Sequence, residues 1–336
     1  MGESVQGAGS EKGIIDMKLV FIGGAHRSGT TMLGSMLGAH SSCLCIPEAQ
    51  FKTDAYRKIH GKDKVDIGDI FLMVSNHIRF KYWGLDVGQE VPAGITSFQE
   101  LFLWLIQSYG EKVGKPCAAI CVDHTPLNIK YADMLFDLFP GAKMIHLVRD
   151  GRAVAASIMP LDWGPNTIDK AASSWANKIQ FGFRVEELYG SERVKRVGYE
   201  DVVLDPEGTM KEICAFLEIA YEPAMIEGGG FKVPSYTARQ HQLVGKGPVA
   251  DRVEAWKTSL TRREIEIFEN IAGTCLRQLG YALHYGAAAR KITFPEKILF
   301  MLKHRYRKRF TNRLRRRRRV RKGVEGAAKV FEGKES

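Results

Sequence analysis

The stretch that most constrains this chain is Gly24-Ala-His-Arg-Ser-Gly-Thr-Thr31. An apolar run, Lys18-Leu-Val-Phe-Ile22, precedes it. The segment Thr30 to Leu37 follows, with Met32, Leu33, Met36 and Leu37 on one helical side. A buried strand, a tight glycine loop and a helix N-terminus together make a concavity of backbone N–H groups that holds an anion. The loop fits the Gly-x-x-x-x-Gly-Lys-Ser/Thr phosphate motif at every fixed position but one: Thr30 stands where the lysine belongs. In nucleotide hydrolases that lysine serves the β- and γ-phosphates. Without it, Arg27, Ser28, Gly29, Thr30 and Thr31 suit a smaller anion at a nucleoside 5′ position.

The same strand-then-helix grammar repeats downstream. Ala118–Val122, Lys143–Val148 and Val194–Tyr199 read as buried strands, and helices are expected over Gly151–Met159 and Pro206–Leu217. The stretches 51–112 and 160–190 read as mainly helical. A last helix, Thr261 to Leu279, opens at Thr261-Arg-Arg-Glu264 and closes at Gly280. Short buried strands alternating with helices predict an α/β, P-loop-like three-layer fold around a central parallel sheet. The expected partition is a flexible leader over 1–16, one domain over 17–286, and a basic helical tail over 287–336.

A second anion site is legible in Val148-Arg-Asp-Gly-Arg-Ala-Val-Ala-Ala-Ser157. Asp150 is placed to cap a helix, and Arg149 emerges at a strand's C-terminal end, where open α/β sheets bind ligands. A guanidinium beside a helix N-terminus suits a phosphate dianion. Ser157, about two turns further on, adds a hydroxyl.

Taken together, these motifs resemble those of sulfotransferases that use 3′-phosphoadenosine 5′-phosphosulfate (PAPS). Arg27-Ser-Gly-Thr-Thr31 after Phe21-Ile-Gly-Gly resembles the family's 5′-phosphosulfate loop, and Arg149 with Ser157 resembles its 3′-phosphate site. Tyr199-Glu-Asp-Val is similar to a family segment whose tyrosine lies near the nucleotide. Leu243-Val-Gly-Lys246 to Trp256 and Leu279-Gly-Tyr281 resemble the cofactor-covering loop and the ending of the tyrosylprotein and related bacterial branches. The resemblance covers roughly residues 18–285. It implies PAPS as sulfuryl donor, a hydroxyl acceptor (lipid, glycan, small metabolite or peptide tyrosine) and no metal.

Sulfuryl transfer needs positive neighbours for the leaving bisphosphate, a role for Arg27 and the loop amides, and a base for the acceptor's proton. Two residues compete for that role. Glu48 matches the position of the catalytic Glu of the tyrosylprotein branch. His124, in Val122-Asp-His-Thr-Pro126, matches the spacing of the catalytic His of cytosolic sulfotransferases. The tyrosylprotein branch carries a lysine at that place. Histidine has the more suitable intrinsic pKa, whereas the surrounding motifs favour Glu48. His26, inside the loop, reads as a loop contact. Two rival readings stay open: a phosphoryl-transferring enzyme, and a non-catalytic membrane- or nucleic-acid-binding protein.

Charge divides sharply along the chain. Residues 287–336 hold 18 of the 49 Lys/Arg and 4 of the 38 Asp/Glu, which leaves the rest slightly acidic. The basicity belongs to the tail and says little about what the body binds. Phe294, Ile298, Leu302, Tyr306, Phe310 and Leu314 recur every four residues among Lys and Arg, with Pro295 suited to a first helical turn. This basic amphipathic pattern over 294–322 suits an anionic membrane surface better than nucleic acid. The expected location is cytoplasmic, peripheral on a membrane's inner face. Six cysteines without a Cys-x-x-Cys pair read as buried reduced thiols.

Overall fold

The computed structural model describes residues 17–60, 66–231, 251–315, 317, 318 and 321. The expected leader over 1–16, Lys246 and the end of the tail lie outside them.

Five strands, β1 (Lys18–Gly24), β2 (Cys43–Ile46), β3 (Ile120–Asp123), β4 (Lys143–Val148) and β5 (Val194–Gly198), form one sheet in the order β2-β3-β1-β4-β5. Every pairing is parallel, with Val20 opposite Val122 on one side of β1 and opposite Lys143 on the other. Parallel sheets are covered on both faces, and the side-chain alternation shows how. Leu19, Phe21, Leu44, Ile46, Cys121 and Met144 point into a core shared with helices Phe51–Ile59, Ile67–Asn76, Phe98–Lys112 and Ala132–Leu138. Their neighbours Val20, Ile22, Cys43, Cys45, Val122 and Ile145 point to the opposite face, against helices Thr30–Gly38 and Pro206–Leu217. A third cluster, around Trp175, Phe268 and Trp256, packs helices Gly151–Ile158, Ile168–Arg193 and Arg262–Gln278 together. The expected α/β three-layer architecture is the observed one.

Local signals set most boundaries. Thr261 and Glu264 form the reciprocal capping box expected of them. Asp150 caps its helix by accepting from the Arg152 N–H at 2.8 Å. Three expectations need correction. Tyr199 does not end β5: it opens a short helix, Tyr199–Leu204, ahead of Pro206. The strand β2 has no counterpart among the expected strands. Tertiary contacts make it, since Lys115 Nζ donates to the carbonyls of Gly38, His40 and Cys43 and so ties down the turn into the strand. All six cysteines are free, but Cys117 is exposed where a buried thiol was expected.

Candidate active site

The sheet order brings the expected residues to one edge. Each strand ends just before one of them: β1 before the phosphate loop, β2 before Glu48, β3 before His124, β4 before Arg149 and β5 before Tyr199. The carboxyl ends of parallel strands are where open α/β sheets bind ligands.

The loop is held in an uncommon conformation. Arg27 (φ 71°) and Gly29 (φ 98°) both lie in the left-handed region. Glycine is required at 29 for a second reason: a Cβ there would sit 2.7 Å from Tyr199 Cδ2. For Arg27 the conformation costs on the order of 1–3 kcal/mol, which the surroundings must offset. They do so from both ends of the residue. Its carbonyl accepts from Arg149 Nη1 at 3.0 Å, and its Nε donates to Ser157 Oγ at 3.1 Å. Gly29 caps helix Thr30–Gly38 without a side chain, and no acidic residue lies in the first turn. The helix N-terminus therefore keeps its positive character for an anion. Ser28 Oγ is fully buried and has no hydrogen-bond partner among the described residues. A buried hydroxyl in an amide-lined loop fits a sulfate or phosphate oxygen.

Arg149 is fixed from several directions. Its guanidinium lies 4.0 Å from the Tyr199 ring centroid, a cation–π contact. Its carbonyl accepts from Trp175 Nε1 at 3.1 Å. Behind it runs a buried charged network. Arg152 joins Asp150 at 2.8 Å to Glu269 at 2.7 Å, with the Trp256 ring under its guanidinium. Glu200 accepts from the Asp150 N–H at 3.0 Å and from the Tyr281 hydroxyl at 2.8 Å. The Tyr199-Glu-Asp-Val and Leu-Gly-Tyr281 segments, 81 residues apart at this contact, thus meet through one carboxylate. Burial pushes the Glu200 carboxyl up, only partly opposed by the Asp150 N–H and the Tyr281 hydroxyl.

The two candidate bases differ in surroundings. Glu48 is partly exposed, with Arg79 Nη1 3.3 Å from its carboxylate. His124 is buried; its ring meets Phe231 edge-on at 4.9 Å, and neither ring nitrogen has a partner among the described residues. Burial lowers its pKa, outweighing the opposing pull of the Glu48 and Asp123 charges. His26 sits against Trp163 at 5.5 Å, and its pKa falls to about 4 through burial and the nearby charges of Lys178, Arg79 and Arg27. From within the loop it makes this ring contact with Trp163.

Sequence reasoning missed the support beneath Glu48. Lys52 and Asp123, both fully buried, form an ion pair at 2.6 Å. Asp123 also accepts from the Thr125 hydroxyl at 2.5 Å, and Thr125 Oγ1 accepts from the Ala49 N–H at 3.0 Å. Burial would raise the Asp123 carboxyl, but Lys52 and Thr125 outweigh it and hold it below its ordinary value. The network pins the segment carrying Glu48 to the end of β3. Only a lysine one helical turn after Glu48 hinted at it. Arg79 and Lys178, which add positive charge around the loop, had no sequence signal.

The chain is 29% identical over 222 residues to the protein-tyrosine sulfotransferase of Drosophila melanogaster, an alignment covering 63% of this chain and 40% of that protein. It is 26% identical over 274 residues to protein-tyrosine sulfotransferase A of Caenorhabditis elegans, covering 78% and 67% respectively. The chain thus spans less than half of the first relative's length. Its fold resembles the sulfotransferase domain of the Synechococcus PCC 7002 olefin synthase, with a TM-score of 0.58 at 20% identity, covering 81% of this chain and 98% of that one. The family model described as "Sulfotransferase family" matches residues 20–223, a span that runs from β1 through the phosphate loop and β5, and the chain belongs to that family.

Proposed function

We propose that this protein transfers the sulfuryl group of PAPS to a hydroxyl acceptor. The observation that carries the reading is the meeting of the two anion motifs: Arg27 bonds Ser157, and Arg149 bonds the Arg27 backbone. One edge of the sheet therefore offers cations and hydroxyls for a 5′-phosphosulfate and a 3′-phosphate together. PAPS supplies the activated sulfuryl group. The loop amides, Ser28, Thr30 and Thr31 bind its 5′ end, and Arg27 stabilises the charge that develops on the leaving oxygen. Arg149 and Ser157 hold the 3′-phosphate and Tyr199 supports Arg149; Lys246, outside the described residues, is assigned to the donor only by the sequence resemblance.

Glu48 is the residue we assign as base. Its partial exposure allows it to reach an acceptor hydroxyl, and the network under Ala49 fixes its position. His124 is a neutral imidazole at the same edge, able to hold a hydrogen bond to the transferring group. The rival phosphoryl-transfer reading finds no support in the family or in Thr30 at the lysine position.

Calorimetry with adenosine 3′,5′-bisphosphate tests the donor. Tight binding to the full chain is expected, with much weaker binding of adenosine 5′-monophosphate. Equal affinity for the two would overturn it. Labelled PAPS with cell extracts then identifies the acceptor class.

A further inference from the structure

We propose that helix Phe294–Tyr306 and its continuation dock this protein on an anionic lipid surface. The helix is amphipathic in an inverted sense. Its inner side, through Phe300, Arg307 and Asn312, meets the body: Phe300 packs on the third core cluster, and Arg307 donates to the Met159 carbonyl at 2.9 Å. Asn312 Nδ2 donates to Asn166 Oδ1 at 2.6 Å. At the start, a Thr293/Glu296 capping box and the Arg263–Glu296 ion pair at 2.8 Å fix its direction.

The outer side carries the large apolar residues. Phe294, Leu299, Leu302, Tyr306, Phe310 and Leu314 are 53–75% exposed, among the most exposed large apolar side chains in the described residues. A π-helical turn over Arg307–Thr311 widens the spiral there. Tyr306 and Phe310, four apart, are in ring contact at 5.4 Å. A stripe of this size left in water marks an interaction surface.

Charge selects the occupant. From Lys303 to Lys322 the chain has 13 Lys/Arg and no Asp/Glu. A second copy would bring the same cations face to face, so a homodimer through this stripe is opposed electrostatically. Nucleic acid would answer the charge but leave the aliphatic residues without a counterpart. A bilayer with anionic headgroups answers both, taking the stripe into the acyl boundary and the cations at the headgroups. No helix among the described residues is long and apolar enough to cross a membrane, so this one lies along the surface. The segment that anchors it, residues 159–166, also carries Trp163, whose ring packs on His26 in the phosphate loop. A docked helix thus holds the candidate site beside the bilayer.

Sedimentation of the full chain with vesicles tests this. Binding is expected to phosphatidylglycerol-containing vesicles and not to pure phosphatidylcholine, with a decline as salt rises. Leu302→Glu/Phe310→Glu, which puts charge in the apolar stripe, and, separately, Arg305→Glu/Arg309→Glu/Arg313→Glu, which removes three cations each worth about fivefold in partitioning, should each lower the bound fraction at least tenfold. Both variants alter exposed positions and should still bind adenosine 3′,5′-bisphosphate as the wild type does. The proposal is overturned by vesicle binding that survives both variants, or by equal binding to neutral vesicles. Self-association abolished by Leu302→Glu/Phe310→Glu in a chain that ignores vesicles would overturn it, as would tighter binding to duplex DNA at matched salt.

Discussion

Arg27 and Ser157, 130 residues apart, are joined by a hydrogen bond of 3.1 Å from guanidinium Nε to hydroxyl Oγ. The bond ties the loop after β1 to the helix after β4, and those strands are neighbours in the sheet. Two anion-binding motifs that are separate in the sequence therefore share one wall. In the proposed function, a nucleotide with charge at both 5′ and 3′ positions uses both.

Arg149→Ala should weaken adenosine 3′,5′-bisphosphate binding by about 2–5 kcal/mol, the usual cost of truncating one member of a desolvated charge pair. The same variant should lose far less affinity for adenosine 5′-monophosphate, which lacks the 3′ charge. Calorimetry on both ligands measures the difference, and equal losses would place Arg149 elsewhere in recognition.

Glu48→Gln should reduce turnover by roughly 10²–10⁴-fold with bisphosphate affinity nearly unchanged, as expected for loss of a general base. His124→Ala should also reduce turnover and alter its pH dependence more than its donor binding. If Glu48→Gln keeps near-normal turnover on an identified acceptor, His124 takes over the role of base.

Lys52→Met leaves the Asp123 carboxylate buried without its cation, so it should destabilise the fold by about 3–5 kcal/mol. Lys52→Met/Asp123→Asn removes the stranded charge and should recover part of that loss. Urea unfolding of the two variants makes the comparison. A Lys52→Met protein as stable as wild type would show that the pair contributes little.

Acidification should destabilise the protein in a defined order. His26 and His124 titrate below the ordinary histidine value of 6.5 because burial disfavours their charged forms, with His26 at about 4. Between pH 6.5 and about 4 the unfolded chain binds protons that folded His26 does not, so stability falls as pH falls through that window. At lower pH a second loss begins. Burial raises the Glu186 carboxyl, but hydrogen bonds from His146 and Arg196 outweigh it and bring it down to about 2. The stability that pair contributes is present above pH 4.5 and is lost as pH falls toward 2. Denaturation midpoints across this range, compared with His26→Gln, should show the first step shrinking in the variant.

Local order was the legible part of this protein. The apolar run of β1, the Gly24–Thr31 loop, the Asp150 cap and the Thr261/Glu264 capping box each depend on residues within a few positions of one another, and hydrogen bonds over that range are written in adjacent letters. The anion motifs belong to the same class, because a strand, a turn and a helix N-terminus suffice to make them.

What only the tertiary structure decided depends on partners far apart in sequence. The four-residue β2 becomes a strand because β3 pairs with it and Lys115 ties its turn. Lys52 looks like an ordinary helix lysine until Asp123, 71 positions away, is found 2.6 Å from it in a core where neither charge survives alone. Burial also separates Glu48 from His124, since spacing alone cannot say which side chain the packed helices leave accessible. The sequence by itself determined the strand-loop-helix units and the candidate anion-binding residues at their ends. The order of the strands, which brings those ends to one edge, is a property of how the sheet buries its two faces, and only the folded chain decided it.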